Sequence, residues 1–331
     1  MLTAKDVFVK TLPFVWMKLL LGLAATAICI ALGALCLFFG WLFNGNGFVL
    51  LVGYSVWIGG TEAVNFFLRH YLGYLVKAGH VAVVAQAMTT GQVPDDQINF
   101  GKNMVKERFA EANVYFALDK LVSGAVKQLG RTFGNVAHLL MLDRLPGFNK
   151  VEQLVKFYLD VALGYVDECC LGWSFLHKEQ SPFKSAADGV VIYFQNWKEL
   201  LKAAAKTVAI ALVGVAAITL IVAVPLGILV KIFGIHGAGG FFAFIIAFSA
   251  ARAVKNAFLD SWVMVSMMTK FLELAPNTEL SVDLYGKLCG LSDRFKELFN
   301  KGQAESGAAA ASAGNAAETA AEPPAPASPA V

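Results

Sequence analysis

The chain has 331 residues, 57% of them hydrophobic and only 15% charged. Both values depart from soluble averages, so a membrane protein is the first expectation. The net charge of +3, with no basic run interleaved with aromatic residues, gives no footing for a nucleic-acid partner.

In chain order, residues 1–13 form a short basic segment, and a first helical hairpin spans 14–77. No charge falls between Lys18 and Glu62. A helical span needs about 20 apolar residues, so this run holds nearly two. "NGNG" (44–47) divides it into spans at 14–43 and 48–71. The first run is far longer than a signal-peptide h-region and reads as an uncleaved span. Residues 78–199 form a middle region of amphipathic helices. It opens on the turn "TTGQVPDD" (89–96), where Asp95 or Asp96 is positioned to cap the next helix. Helical periodicity then covers 112–142, "RLPGFNK" (144–150) breaks it, and 151–177 follows. Such helices lie in the membrane interface or pack as a lobe, with a polar fifth span at 151–177 as the lesser alternative. A second hairpin spans 200–272, with spans at 207–233 and 241–262 that turn at "GIHGAGG" (234–240). An amphipathic helix at 273–301 comes next. The Ala-, Ser- and Pro-rich stretch 302–331 reads as a disordered tail, with a short Ala-rich helix as the alternative.

Basic residues set the sidedness. They precede the first span, fill the middle region and follow the last span, whereas the "NGNG" turn has none. By the positive-inside rule both termini and the middle region are cytoplasmic. The plasma membrane is the expected location, and membrane lipids are the expected partners. Lys198, Lys202 and Lys206 form a basic stripe before the third span that suits anchoring in anionic headgroups. The five cysteines imply no disulfide framework.

The two hairpins resemble each other. Trp16 precedes "MKLL" and Trp197 precedes "KELL"; "EAVNFFLR" (62–69) matches "RAVKNAFLD" (252–260); Pro94 and Pro276 follow; "FGKNMVKERF" (100–109) answers "YGKLCGLSDRF" (285–295). Two spans per unit insert the same way round, so the repeats are parallel. The charges are exchanged between them: Glu62 stands where the second copy has Arg252, and Arg69 where it has Asp260. Packed side by side, the second and fourth spans would neutralise each other through Glu62–Arg252 and Arg69–Asp260. Ionisable groups within spans otherwise mark a polar pathway. Snorkelling of Arg69 and Asp260 is the blander reading.

Chemistry-bearing motifs are sparse. "DECC" (167–170) with His177 lacks zinc spacing, so the cysteines read as buried apolar thiols and no metal or cofactor is expected. No phosphate-binding glycine loop, dinucleotide fingerprint or nucleophile elbow is present, and an enzyme is not expected.

"SPFKSAADGVVIYFQNWKELLK" (181–202), an apolar span pair, and "AVKNAFLDSWVMVSMMTKFLE" (253–273) resemble the choline transporter-like family. The resemblance covers residues 151–273. It implies passage of choline or a similar organic solute, with Asp260 as the matching acid. The expected architecture is an all-α polytopic membrane protein with about four spans, arranged as two parallel repeats around a cytoplasmic helical middle. The expected function is a small transporter or channel-like protein for a choline-like solute, with a homo-oligomer as one form, that uses Glu62, Arg69, Arg252 and Asp260. The alternative is a non-transporting scaffold that recruits a protein partner at its cytoplasmic face.

Overall fold

A computed structural model describes residues 2–109, 112–141, 162–232 and 248–320. All described elements are helical, with no strand among them. Helix α1 (Ala4–Lys10) begins on a capping box. The Thr3 hydroxyl accepts from the Asp6 amide at 3.2 Å, and the Thr3 amide donates to the Asp6 carboxylate at 3.1 Å. Helix α2 (Leu12–Leu42) follows and ends in the "NGNG" turn. There Asn44 and Gly45 take left-handed φ values of 51° and 70°, a conformation that asparagine and glycine tolerate. The Asn46 side chain then accepts from the amide of Phe48 at 3.0 Å to start α3 (Gly47–Asn65).

Helix α3 runs without a break through a π-helical segment (Phe66–Leu72) into α4 (Gly73–Thr90). Along this rod the surroundings change. No residue of α3 is buried, whereas Ala78 to Ala85 of α4 are buried without exception. An all-round apolar helix is stable only when enclosed on every side, and α4 is enclosed by a helical lobe. Gly91 (φ 73°) closes α4, and Asp96 caps α5 (Gln97–Arg108), as the turn chemistry requires. Helices α4 and α5 cross at Gly79 and Gly101, so close that a Cβ on Gly101 would lie 2.7 Å from the Gly79 carbonyl oxygen. The lobe is completed by α6 (Ala112–Met141), α7 (Val166–Leu176) and α8 (Pro182–Gln195). Helix α9 (Trp197–Ile232) leaves it. The chain returns through a helical stretch at 248–254 and a second π-helical segment (Lys255–Leu259) into α10 (Asp260–Leu274). Helices α11 (Val282–Leu291) and α12 (Asp293–Ala320) close the lobe.

Among the described residues, three helices are long and apolar enough to cross a membrane: Leu12–Leu42, Gly47–Thr90 and the first part of α9, Trp197–Ile218. Their surfaces agree. Phe48, Trp41 and Val213 are 75%, 74% and 71% exposed, one large apolar side chain on each of the three helices, as a membrane-facing surface would leave them.

Several expectations change. In the segment at 151–177, residues 151–161 lie outside the described residues; the described part turns at 164–165 before α7, which is 11 residues long and mostly buried in the lobe. In the stretch 302–331 the described part is helical as far as Ala320, the Ala-rich helix that was the alternative there, since alanine is the strongest helix former. Residues 273–301 hold two helices, α11 and the start of α12, instead of one. The break at 144–150, the turn at 234–240, the start of the fourth span and the tail beyond 320 lie outside the described residues.

Packing between the hairpins also differs. The upper half of α2 packs on α3, where Trp57 Nε1 donates to the Cys29 carbonyl at 3.0 Å and the Trp57 ring lies against Gly33. The lower half packs on the end of the second hairpin: Val15 and Leu19 form a small core with Ala253 and Ala257, and Gly22 lies against Ala253.

Candidate functional site

Where the spans enter the lobe, a cavity of about 550 Å³ opens between the two hairpins. Each π-helical segment supplies one wall. Leu68 comes from the first and Lys255 and Asn256 from the second, with Gly73 and Asp260 at the start of the helices that follow them. A π turn widens the helix and often marks a site where the backbone has been adapted to function. The floor comes from the lobe, through Tyr165 and Glu168, and from Lys18 of α2 and Lys77 of α4.

Lys18 is held by neutral atoms. Its Nζ donates to Ser261 Oγ at 2.9 Å and pairs with His80 Nδ1 at 3.2 Å. The network fixes the imidazole tautomer. The Thr11 hydroxyl proton goes to the Val7 carbonyl at 2.9 Å, so Thr11 Oγ1 must accept from His80 Nε2–H at 2.9 Å. Nδ1 is then the unprotonated nitrogen and accepts from Lys18. His80 is fully buried and also stacks on Phe14, with ring centroids 5.1 Å apart. Among the described residues no carboxylate lies within ion-pair distance of Lys18.

Lys77 is surrounded by acids. It contacts Glu168 directly and reaches Asp167 at 3.6 Å. Asp119 of α6 stands beside Asp167. Three carboxyls around one ammonium cannot all ionise cheaply in a buried site. Burial, reinforced by Asp167, pushes the Glu168 carboxyl well above the usual carboxylate range. The same two causes raise Asp119 to about 6. Asp167 is buried too, yet the charge of Lys77 holds it below its ordinary value. Glu168 is only 3% exposed, and its carboxyl is in hydrogen-bond contact with Asp167.

The charges expected within the spans lie elsewhere. Glu62 and Arg252 are both exposed, and no ion pair joins them among the described residues. Asp260 pairs with Lys255 of its own helix at 3.0 Å. The Arg69 side chain lies outside the described residues. Leu68 and Asn256, one from each hairpin, both line the cavity. Of the expected residues whose side chains are described, Glu62, Arg252 and Asp260, Asp260 borders it.

Lys198, Lys202 and Lys206 are exposed at the start of α9. Lys198 lies over the Trp197 ring at 5.9 Å, and Lys202 donates to Glu199 at 2.7 Å. In "DECC", Cys169 and Cys170 are fully buried free thiols, and His177 packs on Trp173 with centroids 3.8 Å apart.

Sequence reasoning missed Lys18, Lys77, Asp167 and Glu168. A signal existed for two of them. Lys77 interrupts an apolar run, "YLVKAGHVAVV" (74–84), and Glu168 sits in "VDECCLGW" (166–173) among residues that otherwise pack. Elsewhere in the lobe, ion and hydrogen-bond networks act as ties. Arg108 donates to Ser174 Oγ at 3.0 Å, Ser185 Oγ at 3.1 Å and the Gln180 carbonyl at 2.8 Å, which fastens α5 to α7 and α8. Buried Asp188 takes contacts from Lys184 and Tyr285, which fastens α8 to α11.

No family model, curated protein or solved structure matches this chain.

Proposed function

We propose that this chain is an integral membrane protein that passes a small organic solute, with the cavity at the base of the spans as its binding station. The observation that carries the reading is that cavity. It lies at the level where the spans meet the lobe, both hairpins wall it, and charged groups enter it from four helices. Sites with mostly apolar walls and a few convergent polar groups are the usual form of small-molecule pockets. The resemblance to the choline transporter-like family supports the same class of solute, with Asp260 on the cavity wall. Two parallel repeats are part of the proposal. Their support is that a π-helical segment stands at the matching place in each hairpin, just before the helix that enters the lobe. The termini and lobe are cytoplasmic in this reading, in a plasma membrane, with Lys198, Lys202 and Lys206 at the headgroups. The walls are thin for a solute path, which favours a second copy beside the first. The scaffold alternative rests on Leu280, Val282 and Leu291, apolar residues that α11 and the loop before it leave 40%, 83% and 44% exposed.

Uptake of labelled choline and ethanolamine into proteoliposomes tests the reading. Saturable uptake above protein-free vesicles is expected. Its absence for both solutes, with correctly folded protein, would leave only the scaffold.

A further inference from the structure

We propose that the three carboxyls around Lys77 form a two-proton switch under the cavity: while Asp119 holds its proton the cavity floor is neutral, and once that proton leaves the floor carries one negative charge and takes a cation. This deepens the solute-passing reading above and rests on it.

The proton count follows from geometry. Asp119 of α6 is in hydrogen-bond contact with Asp167 of α7, and Asp167 with its neighbour Glu168. An ionised carboxylate only accepts, so two carboxyls share a hydrogen bond only through a proton that one of them keeps. Three carboxyls joined by two such contacts therefore hold two protons and one negative charge. The charge belongs to Asp167, the middle group, which accepts from both neighbours and lies 3.6 Å from Lys77 Nζ. Lys77 balances it, Asp119 and Glu168 are neutral, and the cluster carries no net charge. Titration agrees with this count: Asp167 is held below its ordinary value, and Asp119 and Glu168 above theirs.

The two protons differ in how firmly they are held. Glu168 is 3% exposed, touches Lys77 and keeps its proton well above the usual carboxylate range. Asp119 is half-buried, and burial with Asp167 raises it only to about 6, so its proton leaves first. Two carboxylates then share one lysine.

The groups that face Asp119 cannot absorb the new charge. Tyr74 of α4 and Tyr115 of α6 are neutral phenols, and Lys77 is already balanced by Asp167. Helices α8, α11 and α12 also pack on α6. Their Lys184 is on Asp188, and their Arg294 is on Glu297 at 3.0 Å. Across the cavity, Lys255 is paired with Asp260 at 3.0 Å, and Lys18 is held by Ser261 and His80. Among the described residues, Lys77 is the one cation in ion-pair contact with the cluster. Lys77 and Glu168 line the cavity, so its contents are placed to supply the missing positive charge. In a site that excludes water, such a charge acts strongly on a cation.

The test is calorimetric binding of choline, whose charge does not titrate, to the full-length protein in maltoside micelles. It is run at about pH 5 and about pH 7.5, on either side of the Asp119 titration. Affinity should be roughly fivefold or more higher at the upper pH. Near the midpoint, binding should release protons, seen as a heat that varies with the ionisation enthalpy of the buffer. Asp119→Asn should hold the affinity at its acid level at both pH values. Asp119→Glu, which restores a carboxyl, should bring the pH dependence back and separates loss of the switch from damage to the fold. Equal choline affinity at both pH values, or a pH dependence that Asp119→Asn leaves intact, would overturn the switch and leave the solute-passing reading standing. Absence of choline and of ethanolamine binding at both pH values, in protein that still unfolds cooperatively, would overturn the two together.

Discussion

Glu62 and Arg252 are exposed and have no ion pair among the described residues, whereas Lys77, Asp167 and Glu168 are drawn together beside the cavity. The first pair is conspicuous in the sequence because each interrupts a long apolar run. The second set is less conspicuous, since its acids lie among the polar residues of short amphipathic helices and Lys77 stands alone in its stretch. The difference shows that in this fold a charge is costly according to what encloses it, not according to the length of the apolar run around it. An exposed group keeps access to polar surroundings by snorkelling. An enclosed one must find partners, and the carboxyls of α6 and α7 find Lys77.

The contrast is broken most directly at Lys77. Lys77→Met leaves three neighbouring carboxyls without their cation, and removal of one partner from a buried pair typically costs roughly 3 kcal/mol or more. Thermal unfolding in detergent should show a loss of that size. Glu168→Gln in the Lys77→Met background should recover part of it, and strict additivity of the two changes would show that they do not interact.

Asp119 sharpens the same point through pH. Its carboxyl is raised to about 6 from an ordinary 3.8, first by burial and then by Asp167. The folded state therefore holds this proton more tightly than the unfolded chain. The stability it contributes is complete below about pH 4 and is lost as the pH rises to about 6. Asp119→Asn should remove that slope and raise stability at pH 7.5, relative to pH 4.5, by roughly 1–3 kcal/mol. An unchanged pH profile would mean that Asp119 titrates normally.

The smallest effect belongs to the exposed pair. Glu62→Gln and Arg252→Gln should each shift detergent stability by less than about 0.5 kcal/mol. The exchange Glu62→Arg with Arg252→Glu should show additivity to within about 0.5 kcal/mol. A rescue by the double exchange would place the two charges in contact after all.

Much of the fold could be read from residues alone. The "NGNG" turn, the Asp96 cap and the helix beginning at Ala112 follow from turn chemistry and periodicity, which act locally. What could not be read is tertiary. Nothing local tells Lys18 that His80 and Ser261 will meet it from two other helices, 62 and 243 positions away. Likewise the matched segments "EAVNFFLR" and "RAVKNAFLD" suggested direct contact, but the structure puts a cavity and the lower half of α2 between the two hairpin ends. The helix that runs to Ala320 follows from alanine's helix propensity, although its low hydrophobicity gives it little to bury.

The most direct test of a solute station at this cavity is chemical access to its polar wall. A single cysteine at Asn256, in a chain whose native cysteines are replaced by alanine, is exposed to a membrane-impermeant thiol reagent in inside-out vesicles. Labelling should proceed and should slow several-fold when ethanolamine or choline is present. A thiol at position 256 that never labels, or labels at the same rate whatever solute is added, would contradict the assignment of this cavity as the binding station.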